Sequence, residues 1–153
     1  MHSICMEDIA NLTIEGVRSD STCAFGISKR PATLPSTPIQ INGFFDGWTY
    51  MMISAPGDRL YWFLIERTET KFGKSIAKFT KKEEEHVAKQ HFGDRVTQTT
   101  TFEDIYSNRI ASGLVSLQEH VFPQWHFRNM IIIGDAAHKV TNNTTYNSRS
   151  NMN

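Results

Sequence analysis

The amino-acid sequence predicts an α+β fold built on a mostly antiparallel sheet with a few helices. Three observations lead there: short apolar runs separated by turn residues from Thr22 to Ile65, helix-capping signals at Thr80 and Thr101, and a return to strand-like patterns from Ile110 onward. With 153 residues, 39% of them hydrophobic, the chain is long enough for one domain with a real core.

Thr22-Cys23-Ala24-Phe25-Gly26-Ile27-Ser28 reads as the first strand, rich in residues that fit a pleated, half-buried surface. The stretch Lys29–Pro38 carries three prolines, which cannot donate to a ladder, so it is a connection. Ile39–Phe45 and Tyr50–Ser54 read as two strands around the hairpin dipeptide Asp46-Gly47. A second turn, Ala55-Pro56-Gly57-Asp58, leads into the strand Leu60–Ile65. These neighbouring strands imply a meander.

The period then changes. Thr80 followed three residues later by Glu83 is a capping box, in which each side chain satisfies an amide the helix start leaves open; it predicts a helix to about His91. Thr101 with Asp104 is a weaker copy and predicts one or two turns to about Tyr106. Ile110–Leu117 alternates apolar and small polar residues as a half-buried strand does. Val121–Phe127 reads as an aromatic-rich loop, Ile131–Ile133 as a final, fully buried strand, and the Asn-, Thr- and Ser-rich segment Thr141–Asn153 as a disordered tail.

Charge excludes some partners. Sixteen basic and sixteen acidic residues give a net charge of zero, which offers no electrostatic basis for binding nucleic acid. The dense run Lys81-Lys82-Glu83-Glu84-Glu85 carries both signs and reads as a solvated helix face. Cys5 and Cys23 lack zinc-site spacing, and free thiols are expected. No run of about eighteen apolar residues and no signal-like start occur, so neither a membrane span nor secretion is expected, the location is taken as cytoplasmic, and the sequons Asn11-Leu12-Thr13 and Asn143-Thr144-Thr145 carry no glycosylation meaning. His86 and His91 are expected on an exposed helix and His120 and His126 in loops, with no metal site among them. High aromatic content suits an apolar ligand pocket.

The segment Met130–Lys139 carries the most chemistry. An apolar run delivers Gly134-Asp135-Ala136-Ala137-His138 to what reads as a helix start. Gly134 permits close backbone approach, Asp135 can accept from a sugar hydroxyl or cap the helix, and the alanines leave room for a bulky ligand and favour helix.

Four local patterns together resemble the FAD-dependent monooxygenases of the para-hydroxybenzoate hydroxylase type, especially the fungal branch that epoxidises prenyl chains of secondary metabolites. Phe25-Gly26-Ile27-Ser28 resembles the family's first substrate-domain strand, and Gly57-Asp58-Arg59-Leu60-Tyr61-Trp62-Phe63-Leu64 its glycine turn and Tyr-Trp-Phe strand. Trp125-His126 followed by Met130–Lys139 resembles its tryptophan loop and Gly-Asp motif, and Met1-His2-Ser3 the end of its Asp-Gly-x-His-Ser motif. The resemblance implies FAD as cofactor, with Asp135 as its contact and Gly134 and Ala136 shaping the approach. It also implies a small hydrophobic substrate, hydroxylated or epoxidised. Trp125 and the strand Leu60–Ile65 would then face the substrate side or the seam with the FAD domain, while Trp62 itself is expected in the core. Neither Phe45 nor Tyr50, which stand near a family tyrosine of the substrate pocket, is given a catalytic role.

Two departures qualify this. The chain has no glycine-rich dinucleotide fingerprint, and the stretch Val140–Ser148 has neither the proline nor the glycines that follow the family's Gly-Asp motif. The expectation is a truncated member: residues 1–127 substrate-domain-like, 128–140 a remnant of the FAD-binding domain, 141–153 tail. FAD binding should be weak or absent and the chain inactive alone. The alternative is a non-catalytic module that binds an apolar ligand or partner, with self-association through an uncovered sheet face.

Overall fold

In a computed structural model the described residues are 16–127 and 129–139. The readings of Met1-His2-Ser3, Val140–Ser148 and the tail lie outside them. The expected α+β architecture is present. A five-stranded sheet of β1 (Arg18–Lys29), β2 (Gln40–Phe44), β3 (Trp48–Ala55), β4 (Arg59–Phe72) and β5 (Arg109–Ser116) has the order β2-β3-β4-β1-β5. Two helices, α1 (Lys81–Gln90) and α2 (Phe102–Ser107), lie between β4 and β5 in the chain. The described residues form two compact units: Ser21–Thr68 with Ala77–Ser116 hold the core of the sheet and both helices, and the other unit gathers 16–20, Glu69–Ile76 and the described residues of 117–139.

Local chemistry explains the sheet. At the first hairpin the Phe45 amide donates to the Trp48 carbonyl at 2.9 Å and Gly47 takes a φ of 93°, a conformation that disfavours any other residue. The register sets Tyr50 opposite Leu64 and Met52 opposite Trp62, so strict alternation sends all four to one face. Ala24 and Leu114, paired across β1 and β5, complete it. Against this face α2 packs Phe102, Ile105 and Tyr106, and α1 packs Ala88. Trp62 is fully buried at the centre, with its ring 5.3 Å from that of Phe102 and its indole N–H donating to the Ser28 hydroxyl at 2.9 Å. Removing it would cost about 3–5 kcal/mol.

Both capping boxes form. Thr80 Oγ1 accepts from the Glu83 amide while the Glu83 carboxylate accepts from the Thr80 amide, and Thr101 and Asp104 repeat the exchange. These bonds hold the Glu83 and Asp104 carboxyls below their ordinary values.

Several expectations are corrected. β4 continues past Ile65 to Phe72, because Thr68 and Thr70 sustain an extended, exposed strand without apolar content. Glu84, placed on a solvated face, is buried: the helical period aligns it with Ala88, and it accepts from the Tyr106 hydroxyl at 3.1 Å and from Lys81. Ile131–Ile133 is not a buried strand. Met130–Ile131 (β8) pairs with His126–Phe127 (β7), and Ile131 and Ile133 are each 73% exposed. A β-branched run is buried only where layers cover it, and the described residues here form a two-stranded ribbon. Nor does a helix follow Asp135. Gly134–Ala136 makes one 3-10 turn, and His138–Lys139 (β9) then pairs with His120–Val121 (β6), since two alanines do not offset the cost of nucleating a helix.

Candidate functional site

The alternation that fills the core leaves the opposite face of the sheet apolar and, away from buried Cys23, partly exposed. Register places Ile53 directly across from Tyr61 and Met51 across from Phe63. On the neighbouring strands, Phe25 lies opposite Gly113 and Val115 opposite Cys23. Phe25, Ile53, Tyr61 and Val115 are between 38% and 43% exposed, an uncommon state for four large apolar side chains on one surface. The Phe25 ring rests on Gly113, close enough that a Cβ there would sit 3.2 Å from it. At one border β2 adds two amides, Gln40 and Asn42, opposite Ile53 and Met51. Completing the burial of any one of the apolar side chains would contribute about 1 kcal/mol. The face can therefore hold a flat or elongated apolar molecule, oriented by a few polar groups at its rim.

A second cluster is polar and sits on the covered side. His91, expected on an exposed helix surface, is the C-cap of α1 and is buried, because one further turn from Ala88 points it inward. Its Nδ1 lies 2.8 Å from Asp94 Oδ2 and its Nε2 2.8 Å from Glu66 Oε1. Asp94 Oδ2 also accepts from the Trp48 indole at 2.9 Å and the Tyr50 hydroxyl at 2.8 Å. Burial works against a charged ring, but the hydrogen bonds and charges of Glu66 and Asp94 outweigh it and raise the His91 pKa. Burial, and then the bond to Asp94, push the Tyr50 phenol far above the ordinary tyrosine value. Tyr50 thus serves the core, and Tyr61 is the tyrosine on the open face. The His-x-x-Asp spacing was the available sequence signal for this cluster.

The predicted cofactor residues Gly134, Asp135 and Ala136 share the 3-10 turn of the other compact unit. Asp135 is exposed in the first turn, and the residue at the N-cap is Ile133, which has no side chain able to cap it. Gly134 has a φ of 59°, and a Cβ built on it would meet nothing within 4 Å, so here the glycine serves the turn and no close approach. One open carboxylate suits a ribityl hydroxyl. Nearby, Trp125 stacks on His138 with centroids 5.7 Å apart and donates its indole N–H to the Phe122 carbonyl at 2.7 Å. Among the described residues no cluster of His, Cys, Asp or Glu is arranged to hold a metal ion, and no helix is long and apolar enough to cross a membrane.

No family model matches the chain. Individual relatives do. The FAD-dependent monooxygenase janM of Penicillium janthinellum is 29% identical over 147 residues, 94% of this chain and 31% of that protein. The FAD-dependent monooxygenase penM of Penicillium crustosum is 32% identical over 84% of this chain and 28% of its own length. The FAD-dependent monooxygenase spyC of Aspergillus fumigatus is 32% identical over 80% and 26%. The solved tetracycline destructase Tet(51) overlays 80% of this chain and 32% of its own, at 13% identity and a TM-score of 0.48, a likeness too loose to bear on the fold. Along most of its length the chain is a sequence relative of fungal FAD-dependent monooxygenases, and it spans about three tenths of the length of those it matches.

Proposed function

We propose that these residues form the substrate-side portion of an FAD-dependent monooxygenase, and that the open face of the sheet is the wall against which a small hydrophobic metabolite lies. The observation that carries this reading is the aligned apolar surface of Phe25, Met51, Ile53, Tyr61 and Phe63, in a chain whose relatives are FAD-dependent monooxygenases. Oxygen transfer is chemistry that FAD supplies when bound. The wall's contribution is shape and the exclusion of water. In this reading residues 1–127 belong to the substrate side, 128–140 to the cofactor side, and Asp135, with Gly134 and Ala136, contacts FAD once further protein completes the site.

The second reading is a non-catalytic module whose apolar face receives an apolar ligand, a partner protein or a second copy of the chain. The exposure of Ile131 and Ile133, beyond that of the sheet face, favours it.

Titration of the 153-residue chain with the apolar dye 8-anilinonaphthalene-1-sulfonate tests the proposed wall. The dye should bind while unfolding remains cooperative, and Ile53→Asp or Tyr61→Asp should weaken binding at least tenfold without lowering the unfolding midpoint. Unchanged dye binding in both variants would remove the sheet face as the ligand surface. Sedimentation of the same samples separates the readings, since association abolished by Ile53→Asp supports the module.

A further inference from the structure

We propose that His91 is a proton-operated clasp: charged, it ties the C-terminal end of α1 to the β3-β4 ribbon, and neutral, it releases Glu66 and loosens the turn that follows the helix. Both ring nitrogens lie 2.8 Å from carboxylate oxygens, and only the imidazolium donates from both at once. A neutral ring has one N–H. It keeps that donor on one carboxylate and presents a lone pair to the other, at a distance where two lone pairs repel.

The geometry decides which bond fails. Asp94 is fixed by the Trp48 indole and the Tyr50 hydroxyl from β3, and its own backbone is fixed at both ends, with its amide donating to the His91 carbonyl at 3.0 Å and its carbonyl accepting from the Phe102 amide at 2.9 Å. Glu66 is held less tightly, on a β4 side chain 24% exposed, and can turn to water. The groups that face the ring are therefore Glu66 from β4, Asp94 from the turn after α1, and Tyr50 and Trp48 from β3. With the ring charged, one positive group stands against two carboxylates. With it neutral, two partly buried carboxylates share the site uncompensated, which the structure relieves by opening. The ribbon held by the clasp carries Met51, Ile53, Tyr61 and Phe63 on its other side.

The experiment follows the His91 ring by NMR across pH in the full 153-residue chain, together with hydrogen exchange at the Asp94 and Phe102 amides. The expected result is a His91 titration above the ordinary histidine value of about 6.5. Beyond it, after correction for intrinsic exchange, opening at those two amides should increase about tenfold while the β1-β5 ladder at Ala24 and Leu114 stays protected. In Glu66→Gln the His91 titration should move down and most of the pH dependence of opening should vanish. A ring that titrates at or below the ordinary value, equal changes at all amides, or the same pH dependence in Glu66→Gln would each overturn the clasp.

Discussion

Gly26 shows how one position shapes the core. A Cβ there would lie 2.4 Å from the Trp62 ring and 2.7 Å from the Ala111 carbonyl, so the indole occupies the space a side chain would need. Gly26→Ala should destabilise the chain by about 1–3 kcal/mol through overpacking, measured as a lower urea midpoint. His91 gives a prediction with a sign. Its folded pKa is raised above the unfolded value, so its contribution to stability is complete below about pH 6.5 and is lost as pH rises through the raised folded value. Urea unfolding between pH 6 and 8.5 should show that decline, and Glu66→Gln should flatten it. The burial of Trp62 was legible from its place in an apolar run, whereas the burial of His91 and Glu84 was not. Both follow polar helix positions whose partners, Glu66 and Tyr106, lie 25 and 22 residues away and become neighbours only in the fold.

Short-range chemistry set the elements well where it acted alone. The hairpin at Asp46-Gly47 and the boxes at Thr80 and Thr101 are interactions within four residues, and all three stand where their residues placed them. Thr80→Ala should therefore cost about 1 kcal/mol, read from the unfolding midpoint, with loss of helical circular dichroism if α1 frays. Thr101→Ala should be felt more widely, since α2 carries Phe102 and Tyr106 into the core. The misreadings arose where a strand depends on what lies beside it. Arg67–Phe72 stays extended despite a polar sequence that Thr68 and Thr70 suit to a strand, and Ile131–Ile133 stays exposed because apolar content cannot supply a covering layer.

At the scale of the larger unit, helices pack on one face of the sheet while Phe25, Ile53, Tyr61 and Val115 on the other are partly exposed, and the chain corresponds to about three tenths of the relatives it matches. Purified alone, the 153-residue chain should retain no stoichiometric flavin absorbance, because the turn of Asp135 offers one acceptor and the sequence carries no dinucleotide fingerprint. If the remaining portion of a related flavoprotein is added and binding appears, Asp135→Ala should weaken flavin retention more than it lowers the unfolding midpoint. The resemblance to FAD-dependent monooxygenases was readable in the sequence, and the relatives bear it out. The state of a site depends on the residues that converge on it, and motifs do not report those.

The placement of Phe25 over bare backbone gives the open face a depth gauge. A ring seated on Gly113 meets no side chain at the residue paired with its own, so on that side it rests against backbone. Alanine at 113 would lift the ring by a few tenths of an ångström, and a larger residue would turn it outward, while the core on the far side kept its packing. The contour of the surface can thus be changed at a position that itself contributes no side chain to it, which separates the evolution of its shape from the evolution of stability.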